Sequence, residues 1–221
     1  MSTADPSGGP RFADRVEAGR ALAASLGVYA GRADVVVYGL PRGGVPVAAE
    51  LARALAAPLD VLLVRKLGLP HQPELAMGAI AEGGVVLFNV DVLAHETPTP
   101  AAVTRILAEE QRELERRLAA YRVGRPAVPI AGRVAILVDD GLATGATMEA
   151  AVRAIRARGA ARVVVAVPVA AREACDRVRA VADEVVAART PSPFHAVGAW
   201  YLDFEQTGDD EVMALLAGTP R

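Results

Sequence analysis

Cysteine is nearly absent: Cys175 is the only one in 221 residues. A lone thiol closes no intrachain disulfide, which excludes a disulfide-stapled scaffold and makes a reducing, cytoplasmic setting the expectation. Lysine is equally scarce, since 23 of the 24 basic residues are arginine and Lys66 stands alone. Charge of one sign is missing too. The 24 basic residues face 26 acidic ones, a formal charge of −2, which excludes a broadly basic nucleic-acid binder and leaves room for a local anion pocket. No uninterrupted apolar stretch is long enough to span a bilayer, and residues 1–10 lack a signal-peptide pattern, so no membrane partner is expected. The histidines His71, His95 and His195 are scattered, and no His/Cys/carboxylate cluster has the spacing of a protein-built metal cage.

What is present is a core. Apolar residues make up 52% of the chain and charged residues 23%, the balance of a folded globular protein. Residues 1–10 are rich in Gly, Pro and Ser and read as a flexible tail. Helical spacing predicts an amphipathic helix over residues 12–26. The run VVVY at 35–38 predicts a buried strand, 46–56 a helix and 59–64 a second buried strand, the rhythm of a βαβ unit. Residues 68–84, with Pro70, Pro73 and several glycines, read as a loop with a short strand near 77–81, and Gly83-Gly84 before VVLF at 85–88 predicts a hairpin return. Thr99 and Pro100 are the cap and first turn of a long helix to about Arg122, whose mixed charges read as a solvated face. The βαβ rhythm resumes with strands at 134–138, 163–167 and 184–187 and helices at 148–158 and 172–181. The expected fold is α/β, a doubly wound, mainly parallel sheet flanked by helices. Residues 11–221 form one domain with a helical and loop insertion at about 68–125 and a C-terminal hood at about 188–221.

The segment that carries chemistry is VAILVDDGLATGATM, residues 134–148. Its apolar strand delivers Asp139 and Asp140 to the carboxyl end of a sheet, where open α/β folds bind ligands. Two carboxylates beside a core need hydrogen-bond donors, and sugar hydroxyls are suitable. Gly141 and Gly145 let the backbone turn and aim its N–H groups inward. Thr144 and Thr147 add hydroxyls, and the following helix points its positive end to the same place. These parts suit a ribose 5-phosphate; the plainer alternative is a tight turn with two capping aspartates. There is no G-x-x-x-x-G-K-[ST], which excludes a P-loop, and the glycines do not fit G-x-G-x-x-G.

This segment resembles the phosphoribosyl pyrophosphate (PRPP) motif of the type I phosphoribosyltransferases, most of all its adenine-type version. The resemblance implies that Asp139 and Asp140 hold the ribose 2′- and 3′-hydroxyls. It implies that Gly141, Leu142, Ala143, Thr144, Gly145, Ala146 and Thr147 wrap the 5-phosphate. It further implies a pyrophosphate loop, for which GLPRGG at 39–44 is the candidate: Pro41, Arg42, Gly43 and Gly44 follow the first strand directly. Arg42 offers a fork of donors at a helix start, although Pro-Arg-Gly-Gly is also an ordinary turn. The family's pyrophosphate loop often holds a cis peptide, and the residues do not tell which bond carries it. By the same resemblance Arg65 and Lys66, at the end of the second strand, reach the pyrophosphate, and residues 68–81 take the place of a closing flexible loop with Glu74 as its polar residue. Mg2+ is implied as the chelate of the diphosphate, and a homodimer is the family expectation.

Four of the nine aromatics fall within FHAVGAWYLDF, residues 194–204. The segment is loosely similar to the hood of the 6-oxopurine transferases, with Phe194, Val197 and Trp200 as a base-stacking surface and Asp203 as a water-mediated magnesium contact. An aromatic cluster is also ordinary core material. Ala143 stands where those enzymes place an aspartate, and no lysine lies near Phe194, which counts against a 6-oxopurine acceptor. The expectation is a nucleotide-salvage type of enzyme that passes the phosphoribosyl group of Mg-PRPP to a nucleobase or similar acceptor, with Asp139, Asp140, Arg42 and Lys66 as its catalytic residues. A PRPP-sensing regulatory protein without transfer is the alternative, and a hydrolase of phosphorylated ribose compounds a third reading.

Overall fold

Apolar runs without polar alternation become β1 (Val35–Gly39) and β6 (Val134–Val138), each buried along its whole length. Such runs belong in a sheet covered on both faces. In this computed structural model, which describes residues 10–219, they pair side by side and parallel. With β2 (Leu59–Val61), β7 (Arg162–Val169) and β8 (Glu184–Arg189) they form a five-stranded parallel sheet in the order β2-β1-β6-β7-β8. Side chains alternate between two cores. Val35 and Val37 face α1 (Arg15–Ala23) and α2 (Gly44–Leu55), while Val36 and Tyr38 face α5 (Ala146–Ala157) and α6 (Arg172–Arg179). The doubly wound architecture expected from the sequence is therefore present.

The chain runs outward from β1 to β2 through α2, and from β6 to β7 and β8 through α5 and α6. The direction of winding thus reverses between β1 and β6, where such sheets open a crevice at their carboxyl ends. Gly39 and Val138, the last residues of these two strands, are paired neighbours. The loops that follow them, residues 40–44 and 139–147, consequently start side by side.

The middle of the chain departs from the sequence reading. The expected strand over 59–64 ends at Val61, and β3 (Val64–Leu69) begins in a separate antiparallel sheet with β4 (Gln72–Ala81) and β5 (Val85–Phe88). Leu62 and Leu63 between them are buried in opposite cores, so the apolar run continues through a change of sheet. The expected loop over 68–81 is the β3–β4 hairpin. Gly68 and Pro73 mark irregular pairing in it, with register shifts from Leu67 to Leu69. The hairpin return at 85–88 is as expected. So is α4 (Pro100–Tyr121), capped by the Thr99 hydroxyl, which accepts from the Ala102 N–H at 3.3 Å. Two short helices were not foreseen, α3 (Val90–His95) and α7 (Asp209–Ala217). The tail expected over residues 1–10 lies, apart from Pro10, outside the described residues.

A buried ionic cluster ties the antiparallel sheet to the parallel one. Arg122, at the end of α4, donates to both carboxylate oxygens of Asp60 in β2 at 3.1 and 3.0 Å. Its other terminal nitrogen reaches Glu82, just after β4, at 3.0 Å. Arg158 lies 3.4 Å from the same Glu82 carboxylate, and Asp60 also accepts the Val61 and Val128 N–H groups. Every carboxylate taken out of water here has cationic or N–H partners, which is the condition for burying it.

Candidate functional site

Asp139 and Asp140 follow β6 directly, so both carboxylates emerge at the crevice. Asp139 Oδ1 accepts the Asp140 N–H at 2.9 Å. Asp140 Oδ2 accepts from Arg15 Nε at 2.9 Å and lies 2.8 Å from its Nη2. The Tyr201 hydroxyl donates to the Asp140 main-chain oxygen at 2.6 Å. Burial, and then the neighbouring Asp140 charge, pushes the Asp139 carboxyl well above the ordinary carboxylate range. Burial also raises Asp140, with Arg15 pulling it down. Hydroxyl donors reaching such a pair would favour its ionised form.

The loop after them is pinned rather than loose. Leu142 is buried in the core, its N–H donates to Val169 O at 2.9 Å, and its carbonyl accepts from Ala171 at 2.9 Å. Leu142 is thus an anchor for the loop. Gly145 turns the backbone with φ +80° and caps α5. A Cβ on Gly141 would stand 2.4 Å from Val197, so the hood segment rests directly on this loop.

The second loop meets the first. Leu40 N–H donates to Val138 O at 2.8 Å, and the Pro41–Arg42 peptide is cis. A Cβ on Gly43 would stand 2.0 Å from Asp140 Oδ2, and one on Gly44 2.6 Å from Val138 O. Only glycine lets α2 start this close to the carboxylates. Arg42 lies 3.9 Å from Asp209 at the start of α7, and Asp209 accepts the Tyr121 hydroxyl from α4. Burial and that hydrogen bond push Tyr121 up to about 12.

Arg65 and Lys66, expected together at one sheet edge, are parted. Successive strand residues face opposite ways. Arg65 ion-pairs with Glu110 of α4 at 2.6 Å. Lys66 lines a cleft of about 290 Å3 that also takes in Thr144, Ala146 and Thr147 of the first loop, Arg177, and the apolar Leu75, Leu87 and Phe88 of the antiparallel sheet. The lone lysine therefore sits opposite the threonines rather than beside Arg42. The side chain of Glu74 lies outside the described part of the structure.

The hood differs from the stacking surface expected of it. Trp200 is 5% exposed and packs with Phe12, Val169 and Tyr201 as core. Phe12, expected in the first helix, instead bridges to Tyr201: Phe12 N–H donates to Trp200 O at 2.9 Å and Leu202 N–H to Phe12 O at 2.8 Å. Phe194 and Val197 are half-buried against this cluster. Asp203 is exposed, and one of its oxygens accepts the Glu205 N–H at 3.0 Å. Sequence reasoning missed Arg15, Tyr121 and Asp209. Arginine is too common here for Arg15 to stand out, and the other two act through segments distant in the chain. Among the described residues no group of three or more His, Cys, Asp or Glu is placed to hold a metal, and no helix is long and apolar enough to cross a membrane.

The switch-point crevice, with the carboxylate pair and the glycine-threonine loop at its edge, defines a doubly wound α/β domain. Comparison with known proteins narrows this class. The model of the phosphoribosyl transferase domain matches residues 12–198, and the chain belongs to that family. It is 53% identical over 205 residues to proteins provisionally named phosphoribosyl transferases in two strains of Mycobacterium tuberculosis. The alignment covers 93% of this chain but 46% of those proteins, so the chain spans about half the length of these relatives. The crystal structure of the protein TT1426 from Thermus thermophilus superposes with a TM-score of 0.80 at 48% identity, covering 93% of this chain and 97% of that one.

Proposed function

We propose that this chain transfers the 5-phosphoribosyl group of Mg-PRPP to a nitrogen acceptor, releasing pyrophosphate. The observation that carries the reading is the contact of the two loops, Gly43 against Asp140, at the switch point. A ligand there would meet a hydroxyl-accepting carboxylate pair, a phosphate cradle and an arginine fork within one crevice. Asp139 and Asp140 would accept the ribose hydroxyls. The N–H groups of residues 141–147, with Thr144 and Thr147, would hold the 5-phosphate, with Lys66 across the cleft. Pro41, Arg42, Gly43 and Gly44 would hold the diphosphate.

In the reaction the acceptor nitrogen lone pair forms the bond to the anomeric carbon as the bond to the diphosphate oxygen breaks. The electron pair leaves on pyrophosphate, and the acceptor gives up its N–H proton to solvent. The intermediate charge resembles an oxocarbenium ion, so positioning and stabilisation of the leaving group supply most of the rate. The donors present fit magnesium as a chelate brought by the diphosphate: they are hard carboxylate oxygens, and no described cluster of three builds a resident cage. Bound in this way, magnesium would neutralise charge on the leaving group, and the exposed Asp203 would hold it through water. Phe194 and Val197 would border the acceptor, a nucleobase or similar ring. The lone buried Cys175 suits the cytoplasm as the place of action.

The test is pyrophosphate release from PRPP and Mg2+ across a panel of purine and pyrimidine bases with a no-base control. Base-dependent release is the expected result. Binding of PRPP without release under any base would overturn the transferase reading in favour of a sensor, and release without a base would favour a hydrolase.

A further inference from the structure

Arg15 is the first residue of α1, directly after the helix cap Asp14. Each nitrogen of its guanidinium has a partner. Nε and Nη2 both meet Oδ2 of Asp140, at 2.9 and 2.8 Å, and Nη1 donates to the Glu205 main-chain oxygen at 2.7 Å. The group lies over the Phe204 ring, 4.0 Å from its centroid. Only 12% of the Arg15 side chain and 16% of the Asp140 side chain is exposed, so solvent screens the pair weakly. Among the described residues the side-chain donors to Asp140 are Arg15 Nε and Nη2, and both meet Oδ2.

Resting on the proposed phosphoribosyl site, we infer that Arg15 is a positioning residue which clamps Oδ2 of Asp140 and leaves Oδ1 as the oxygen presented to a ribose hydroxyl. The clamp needs a planar fork, because two nitrogens share one oxygen while the third holds the hood backbone and the face covers an aromatic ring. A lysine ammonium reproduces the charge and not this geometry. Arg15 in turn is fixed by the ladder that joins Phe12 and Ala13 to Trp200, Leu202 and Asp203. The groups facing Asp140 are Asp139 from its own strand, Arg15 from α1 and the Tyr201 hydroxyl from the hood; Gly43 brings only backbone from α2. Burial disfavours the ionised carboxylate; the Arg15 charge and hydrogen bonds favour it most, with a smaller contribution from the Asp140 backbone N–H.

The experiment compares the wild type with Arg15→Gln and Arg15→Lys. The titration of the Asp140 carboxyl is followed by 13C NMR in the ligand-free proteins, and PRPP with Mg2+ is titrated by calorimetry from pH 5 to 8. In Arg15→Gln the Asp140 titration moves to higher pH, and PRPP affinity at neutral pH falls by roughly tenfold or more, the size of a lost charged hydrogen bond. Arg15→Lys restores the titration and only part of the affinity. Wild-type affinity in Arg15→Gln overturns the inference, as does a carboxyl titration that does not move. If Arg15→Gln does not fold, equal PRPP affinity in Arg15→Lys and wild type overturns the claim for the fork. Failure of the wild type to bind PRPP overturns the proposed function instead, and the carboxyl titration then decides the clamp by itself.

Discussion

Oδ2 of Asp140 fills the space that a Cβ on Gly43 would need, 2.0 Å from where that atom would stand. The two loops that sequence analysis picked out separately are therefore one surface, and the missing side chain of one makes room for the carboxylate of the other. Gly43→Ala is expected to push Asp140 off Arg15, cost about 1–3 kcal/mol of stability as an overpacked contact, and weaken PRPP binding. Gly27→Ala, where a Cβ meets nothing within 4 Å, is the matched control. Chemical denaturation and PRPP titration of both proteins check this, and a harmless Gly43→Ala would show that the loops do not depend on their close approach.

The Asp139 carboxyl is raised by burial and by Asp140. A carboxyl whose folded pKa exceeds its unfolded value binds more protons in the native state, so stability falls as pH rises from the unfolded value through the folded one. Above the folded value the cost is constant. Asp139→Asn removes it, and the variant should have a higher Tm than the wild type at pH 8, the gain shrinking as pH drops toward 4. PRPP binding should be lost in the same variant, the usual opposition of stability and site chemistry. Thermal denaturation across this pH range is the measurement; a Tm difference that does not change with pH would refute the burial argument.

Asp209 stands 3.9 Å from Arg42, beyond hydrogen-bond length and with both side chains partly exposed. As a counter-charge to Arg42 it contributes under about 1 kcal/mol to stability through that pair. Because Asp209 also accepts the buried Tyr121 hydroxyl, Asp209→Ala should lower stability by about 1–3 kcal/mol and tighten pyrophosphate binding severalfold at low salt, with the gain fading as ionic strength rises. Calorimetry at two salt concentrations checks both halves, and weaker binding would instead make Asp209 a support for Arg42.

Removing Arg122 would take away the guanidinium that pairs with the buried Asp60 and leave Glu82 with Arg158. Arg122→Leu should cost about 3–5 kcal/mol, the range for breaking a buried ionic cluster from one side. Hydrogen exchange should rise first in β3 and β4, because Glu82 is their tie to the parallel sheet. Uniform loss of protection across the molecule would place the cluster in the common core.

How much of this could be read in advance depended on how local each feature is. Strand β6 and residues 139–147 lie in one contiguous stretch, so the pattern of apolar run, carboxylates, glycines and threonines was visible at once. The loop at 40–44 gained meaning only from that stretch, and the Gly39–Val138 pairing explains why the two belong together. The antiparallel sheet was hidden because Leu62 and Leu63 satisfy both cores with one unbroken apolar run. Trp200 was read as a stacking surface because clustered aromatics look the same in a core as in a pocket. Arg15 was invisible because its role depends on a partner far along the chain.

Lys66 carries the only ε-amine in the protein, exposed and on the wall of the cleft opposite Thr144 and Thr147. An amine-directed acylating reagent or fluorophore therefore has a single lysine to find, on the wall that the proposed function gives to a bound phosphate. The rate of that one modification becomes a gauge of occupancy that needs neither turnover nor knowledge of the acceptor.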